Sequence, residues 1–175
     1  KNMSGIITDN IGRSSGLVKA GGGGGKVLQV VSVTLQTAFS TTATSWTEVT
    51  GLTVAITPSA TSSKILVMLA ASGSSSGDFG FMGIYRDSTN LVDARGNRER
   101  GLSNLYYGGW SGNTRAVTAN LLDSPSTTSE VVYKAMANAT SGGTVWINAK
   151  NSDPNLSEGS GITPFSTITV MEIEG

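Results

Sequence analysis

The sequence contains no histidine and no cysteine. Without imidazole, His-based acid–base catalysis, imidazole-dependent serine or cysteine triads and most zinc or iron sites are excluded. Without thiols, disulfides and thiolate metal sites are excluded too, and the redox compartment cannot be inferred. A pair of carboxylates acting as a glycosidase stays open, although the acidic residues are scattered through strand ends and polar loops. We therefore predict no catalytic residues, no metal site, no cofactor and no enzymatic activity.

Charge is sparse and balanced. Lys and Arg number 12, Asp and Glu number 12, and charged residues make up only 14% of the chain. A nucleic-acid-binding protein presents a clustered positive surface, so we predict no nucleic-acid partner. No apolar run reaches the roughly 18 residues of a membrane span, and the chain does not open on a signal-peptide core. We expect neither membrane insertion nor signal-dependent secretion.

Short alternating apolar segments, separated by Ser, Thr, Gly and Asn clusters, recur from residue 26 to the end. Helical spacing is not sustained beyond about two turns. Regular strands with turn residues between them predict an all-β domain, as a sandwich, barrel or jelly roll. In the first two segments, the residues predicted to point inward are Val27, Val31, Val33 and Leu35, then Leu52, Val54 and Ile56.

Two segments, 64–73 and 79–87, are apolar on both faces. A single sandwich offers one core, so the second face of each strand must be covered by loops or by another copy of the chain. This favours an obligate oligomer. Trp46 and Trp146 lie within strand patterns, and we expect both in the core.

Five glycines, residues 21–25, separate a short N-terminal segment from the first strand. The segment has too few apolar residues to fold alone, so it is either a floppy tail or an anchor that orders only against a partner. A rival role for the glycines is close approach of three chains at a threefold axis. We predict an anchor and linker over 1–25 and a head domain over 26–175. The anchoring candidates are Ile6, Ile7, Ile11, Arg13, Leu17 and Val18.

The segment 94–113, ARGNRERGLSNLYYGGWSGN, is the longest without clear strand alternation. Long loops of this kind are often functional. Aromatic rings stack on sugars and arginines pair with acidic groups, so one interpretation is receptor or glycan contact. The alternative is that the rings fill the core and the arginines bridge subunits. The contact candidates are Arg95, Arg98, Arg100, Tyr106, Tyr107 and Trp110.

The order of several motifs resembles a known domain type. LQVV, SSKILV, LDSP and ITVMEI follow one another as in the repeated domains of tail-fibre and virion proteins of tailed, double-stranded DNA bacteriophages, many of them marine. The opening MSGIITDNIGRSSGLVKA resembles the segment that precedes this domain in those proteins. The resemblance implies a jelly roll related to the C1q and TNF heads that assembles as a homotrimer. It further implies a structural virion component, a fibre head or a capsid or tail decoration protein.

On this interpretation the protein is located in the virion, and residues 3–20 dock onto other virion proteins. Host surface polysaccharide is then the expected external partner. Two rival functions stay open. One is a host-encoded or secreted carbohydrate-binding or adhesin module, and the other is a depolymerase that carries two carboxylates about 5–10 Å apart in a groove.

Overall fold

The computed structural model describes residues 25–76, 79–105, 114–140, 142–150 and 164–175. Within these ranges the chain is built from strands, and no described segment is a helix able to cross a membrane. The strands are β1 (Val27–Leu35), β2 (Phe39–Thr41), β3 (Thr47–Ile56), β4 (Lys64–Ser75), β5 (Phe81–Arg86), β6 (Thr89–Asn90), β7 (Ser103–Asn104), β8 (Arg115–Asp123), β9 (Val131–Asn138), β10 (Val145–Ile147) and β11 (Ser166–Ile173). The predicted all-β fold is confirmed.

The strands form two antiparallel sheets. In the first sheet β4 pairs with β8 on one side and with β11 and then β10 on the other, while β1 extends the sheet beyond β11 and β2 beyond β10. The second sheet runs β3, β9, β5, β6, and β7 also pairs with β5. Apart from the β5–β6 hairpin, paired strands are not consecutive in sequence, and the two sheets form a jelly-roll β-sandwich.

The core lies between the sheets and follows the predicted alternation. Leu52, Val54 and Ile56 of β3 are 0–3% exposed, and the intervening side chains point outward. Because side chains alternate across a strand, the pairing of β4 fixes which face of each neighbour is inward. In β1 the prediction is wrong at Val27: a register shift between Val27 and Gln29 accompanies an exposed Val27 side chain.

The two doubly apolar segments differ in how their outer faces are covered. On β5, Gly83 lies under the Trp46 indole, and a Cβ at this glycine would come within 3.0 Å of the ring. Trp46 therefore covers the outer face of the second sheet and is half-buried, as is Trp146, so the expectation that both lie in the core is wrong. On β4, Leu66 and Met68 are half-buried and Ala70 is exposed, so the chain by itself does not bury both faces of this strand.

The sandwich has two distinct ends. Gly25 donates its backbone N–H to the Glu174 carbonyl at 2.9 Å, so the N-terminal side of β1 and the C-terminus lie together. We call this end, which also holds the loops 57–63 and 124–130, the tail end. The opposite, far end holds residues 36–46, which include β2, and residues 139–140 and 142–144. β4, with 12 residues, makes the sandwich about 40 Å long.

A buried carboxylate organises the tail end. Glu172 of β11 points inward and is 1% exposed. The amide and hydroxyl of Ser59 and the hydroxyl of Ser63 donate to its Oε1 at 2.6–2.7 Å, and Gln29 Nε2 donates to Oε2 at 2.7 Å. Burial raises the pKa of Glu172, but these hydrogen bonds outweigh burial and lower the pKa to about 2. The carboxylate thus joins β1, β11 and the loop between β3 and β4.

An amide plays the same part near the far end. Asn148 adopts a left-handed backbone conformation, with φ of 57°. Its Nδ2 donates to the carbonyls of Leu35 and Thr37, at 2.8 and 3.2 Å, and its Oδ1 accepts from Ser166 Oγ at 2.6 Å. The side chain therefore ties the end of β1 to the start of β11.

We expect Glu172→Gln to lower the free energy of unfolding by about 2–3 kcal/mol at pH 7. The serine donors would then bond a neutral amide oxygen, and Gln29 Nε2 would face a buried amide nitrogen that cannot accept. The folded-state pKa lies below the ordinary value of 4.5, so the carboxylate stabilises the fold fully above that pH. This stabilisation is lost as the pH falls toward 2. Urea unfolding between pH 7 and pH 3 measures both effects.

Glu174→Gln is the matched control, because Glu174 lies two residues away, exposed and just beyond the C-terminal end of β11. The wild type and Glu174→Gln should lose stability steeply below pH 5, and Glu172→Gln should show a shallower acid limb. Equal stability of the two variants at pH 7 would contradict this role for Glu172.

Candidate ligand-binding site

The sandwich is open along one side, where β8 ends the first sheet and β5 and β6 end the second. Among the described residues, β8 pairs with β4 alone. The segment 91–102 runs across this opening between β6 and β7. Between it and β8 lies a cavity of about 410 Å³, which we call the edge cavity. Its size is within the range of small-molecule sites.

The edge cavity has an apolar floor and a charged mouth. Ile84 of β5, a core residue at 0% exposure, is among the residues that line it, so the cavity borders the hydrophobic core. Half-buried aliphatic side chains that pack on the core complete the floor: Leu91, Leu102, Ala119 and Leu121. The charged residues at the mouth are exposed: Asp93, Arg95, Arg98 and Glu99.

Arg100 and Asn90 hold the two ends of the segment 91–102 together. Arg100 Nε donates to the Val92 carbonyl at 2.7 Å, and its NH2 donates to the Asn90 carbonyl at 2.9 Å. In return, Asn90 Nδ2 donates to the Arg100 carbonyl at 2.9 Å. Backbone bonds from Leu91 to Ile84 and from Leu102 to Met82 fasten the segment to β5. The cavity wall is therefore preorganised.

An aromatic pair supports the segment from the outer face of the second sheet. Trp46 Nε1 donates to Glu99 Oε1 at 2.8 Å, and the Trp46 and Tyr85 rings lie 5.9 Å apart with a 50° tilt. Gly101 fits beneath the indole, where a Cβ would come within 3.3 Å of the ring. Asn90 Nδ2 also donates to the Tyr85 hydroxyl at 3.3 Å. Burial raises the pKa of Tyr85 above its ordinary value and so favours the neutral phenol.

The contact candidates of the sequence separate into three groups. Arg95 and Arg98 come together at the mouth of the edge cavity, and neither guanidinium makes a hydrogen bond or ion pair with another described residue. Arg100 lies behind them and bonds the loop carbonyls of its own segment. Three candidates, Tyr106, Tyr107 and Trp110, lie outside the described residues. The anchoring candidates, Ile6, Ile7, Ile11, Arg13, Leu17 and Val18, lie outside them as well.

Sequence reasoning missed the aliphatic floor of the edge cavity and the bond between Trp46 and Glu99. Leu91 and Leu102 stand at the ends of a segment without periodicity, and Ala119 and Leu121 follow an ordinary strand pattern. These residues meet only because the jelly-roll topology brings β8 opposite β5. The sequence signal that pointed here was the concentration of arginines in 94–113.

A second polar cluster joins the sheets near the tail end. Arg86 NH1 and the Tyr133 hydroxyl both donate to Asp123 Oδ2, at 2.6 and 2.7 Å. Tyr133 is 0% exposed, and burial together with the bond to Asp123 raises the pKa of its phenol. The cluster is an internal clamp in which the charge of Asp123 is balanced by Arg86. In the described part of the chain, His, Cys, Asp and Glu side chains form no group of three that could hold a metal ion.

No protein-family model matches the chain, and no curated protein matches it either.

We expect Arg100→Ala to lower the free energy of unfolding by about 1–2 kcal/mol, because two backbone carbonyls lose a charged donor. Hydrogen exchange within 91–102 should become faster. Arg95→Ala is the matched control and should change the free energy of unfolding by less than about 0.5 kcal/mol. Chemical denaturation and amide exchange measure the two effects, and equal behaviour of the two variants would show that Arg100 does not hold the segment.

Proposed function

We propose that the chain is a structural virion protein of a tailed bacteriophage. In this proposal it is a homotrimeric fibre-head or decoration protein, joined to other virion proteins through residues 1–25 and located in the particle. Its far end contacts host surface polysaccharide. The order of the sequence motifs suggests the family. Three features of the described structure support the role: the outer face of the first sheet, the entry of the chain at the tail end and the exposed aromatic rings at the far end.

The outer face of the first sheet is the observation that carries the proposal. Val30, Met171, Leu66 and Leu122 are direct partners across four strands and form one apolar row. Val30 is 53% exposed and Leu122 is 59% exposed. The two rows beside it contain Ser32, Thr169, Met68 and Asn120, then Thr34, Thr167, Ala70 and Thr118.

These three rows carry no charged side chain, although charged residues flank them, as at Lys64. The centres of protein–protein interfaces are depleted in charge, and a contiguous exposed apolar patch is uncommon on monomers. A second copy of the chain therefore suits this face better than solvent does. The motif resemblance gives the number of copies as three.

The two ends of the sandwich suit attachment and presentation. Residue 25 enters the fold at the tail end, beside Glu174. At the far end Phe79 and Phe165 are 50% and 64% exposed, and Phe79 stacks on Phe81 with ring centroids 6.1 Å apart. A tether at one end leaves the other end, about 40 Å away, facing outward. Three such ends on one trimer add weak single contacts into useful avidity.

We expect Leu122→Asp to convert the trimer to monomers, because a charge in the apolar row must be desolvated at the interface. The same change should alter the free energy of unfolding of the monomer by less than about 0.5 kcal/mol, since Leu122 is exposed in the single chain. Thr128→Asp, in the exposed loop between β8 and β9, is the control and should stay trimeric. Native mass spectrometry and urea unfolding measure both properties, and a trimeric Leu122→Asp protein would exclude this face as the interface.

The first experiment is the native mass of the full chain and of a version that begins at Lys26. Trimers of both, with only the full chain incorporated into particles, are the expected result. A trimer of the full chain alone would make residues 1–25 an assembly element, as the threefold-axis role of the glycines requires. Monomers of both would exclude the fibre-head proposal.

A further inference from the structure

We infer that the edge cavity binds an anionic amphiphile, a molecule with an aliphatic chain and a single carboxylate or phosphate head. The chain would enter between the sheets, and the head would meet Arg95 and Arg98 at the mouth. This inference is independent of the virion role, since it rests only on the side chains around the cavity.

Exposed arginines could also pair with an acidic sugar, but the lining of the edge cavity does not suit a sugar. Sugars need hydrogen-bonding groups around the ring or an aromatic face to stack on. The floor of the edge cavity offers aliphatic side chains instead, namely Leu91, Leu102, Ala119 and Leu121. A floor of this kind favours CH₂ groups, each of which gains free energy by leaving water.

The depth of the cavity also favours an elongated apolar group. Its lining extends from exposed Arg98 at the mouth to Ile84, which is fully buried on β5. Ala119 and Leu121 face into the sandwich from β8, opposite Leu91 and Leu102. The cavity is therefore a slot between the sheets, and a chain lying in it would extend the hydrophobic core.

The arginines at the mouth suit an anionic head because their donors are unused within the described part of the chain. Arg86 forms an ion pair with Asp123, and Arg100 donates to backbone carbonyls of the loop. By contrast, the Arg95 and Arg98 guanidiniums are exposed at the mouth and bond no other described residue. The mouth also carries the carboxylates of Asp93 and Glu99, and Glu99 is turned toward the Trp46 indole, from which it accepts a hydrogen bond. Guanidinium groups pair well with carboxylate and phosphate because their donors match the spacing of the oxygens.

The segment that carries these arginines is fixed before any ligand arrives. Arg100 and Asn90 join its two ends, and Trp46, on the outer face of the second sheet, donates a hydrogen bond to Glu99. A preorganised wall lowers the entropy cost of binding. Arg100 is thus a positioning residue in this site, whereas Arg95 and Arg98 are the residues that would touch the head group.

The test is calorimetric titration of the full-length chain with sodium decanoate and decyl phosphate. Hexanoate and octanoate report the role of the tail, decyltrimethylammonium reports the role of the head charge, and glucuronate represents an acidic sugar. We expect affinity to rise about fourfold per methylene from hexanoate to decanoate. Decyltrimethylammonium should bind at least tenfold more weakly than decanoate, and glucuronate should not bind measurably.

Variants locate the site. The double change Arg95→Ala and Arg98→Ala should weaken decanoate binding at least tenfold and leave the melting temperature unchanged. Lys26→Ala is the control and should bind as the wild type does. It removes a positive charge next to β1, the edge strand of the first sheet opposite β8. Ala119→Phe should fill the slot and abolish binding of both anionic probes.

Three results would overturn the inference. Equal affinity for decanoate and decyltrimethylammonium, or unchanged decanoate binding in the double arginine variant, would show that the arginines do not select the head. Binding of glucuronate in preference to decanoate would assign the cavity to an acidic sugar. The chain-length series and the head-group comparison use the wild-type protein. Both measurements therefore test the inference even if the Ala119→Phe variant does not fold. None of these results bears on the native mass that tests the virion proposal.

Discussion

The position of β4, with antiparallel partners on both sides, is the constraint on which the rest of the molecule depends. It pairs with β8 from Ile65 to Gly73 and with β11 from Lys64 to Ala70. Because side chains alternate along a strand, a slip of one residue in either pairing would turn the inward side chains of the slipped strand to the outer face. The buried aliphatic core and the charge-free outer face are therefore two products of one register.

The same register places a charge inside the sandwich. Glu172 occupies the inward position that follows Ser166, Ile168 and Val170 on β11, so its carboxylate faces the core side of the sheet. A buried carboxylate is tolerated only where donors replace its water. The loop between β3 and β4 supplies those donors from Ser59 and Ser63. This loop is thereby held by a polar group at an otherwise apolar position.

Much of the fold was predictable because alternation is a local property. The inward triplet of β3, Leu52, Val54 and Ile56, is visible in seven consecutive letters of sequence and is buried as predicted. Trp46 shows the limit of local reasoning, since a large aromatic residue next to a strand reads as core. Gly83 and Gly101 leave room for it outside the sheet instead, and this arrangement depends on contacts between distant parts of the chain.

The site was predictable only in part, for the same reason. The arginine cluster in 94–113 pointed to the mouth of the edge cavity, where Arg95 and Arg98 lie. Nothing in the sequence distinguishes these two from Arg100, because the difference lies in which guanidinium reaches a backbone carbonyl. The aliphatic floor is assembled from β5, β8 and the segment between them, and its members are more than thirty residues apart at the extremes, as with Ile84 and Leu121.

The entry of the chain at residue 25 has a mechanical consequence. A pull on residue 25 along the strand direction, resisted at the far end, loads β1 against β11. The hydrogen bonds of an antiparallel pair run across the strands, so such a pull shears the paired residues from Val27 to Leu35 together and does not peel them one after another. Gln29, bonded to Glu172, lies near the loaded end. Tension on the tether would therefore load the hydrogen bonds between β1 and β11 in shear, along the whole length of the first strand.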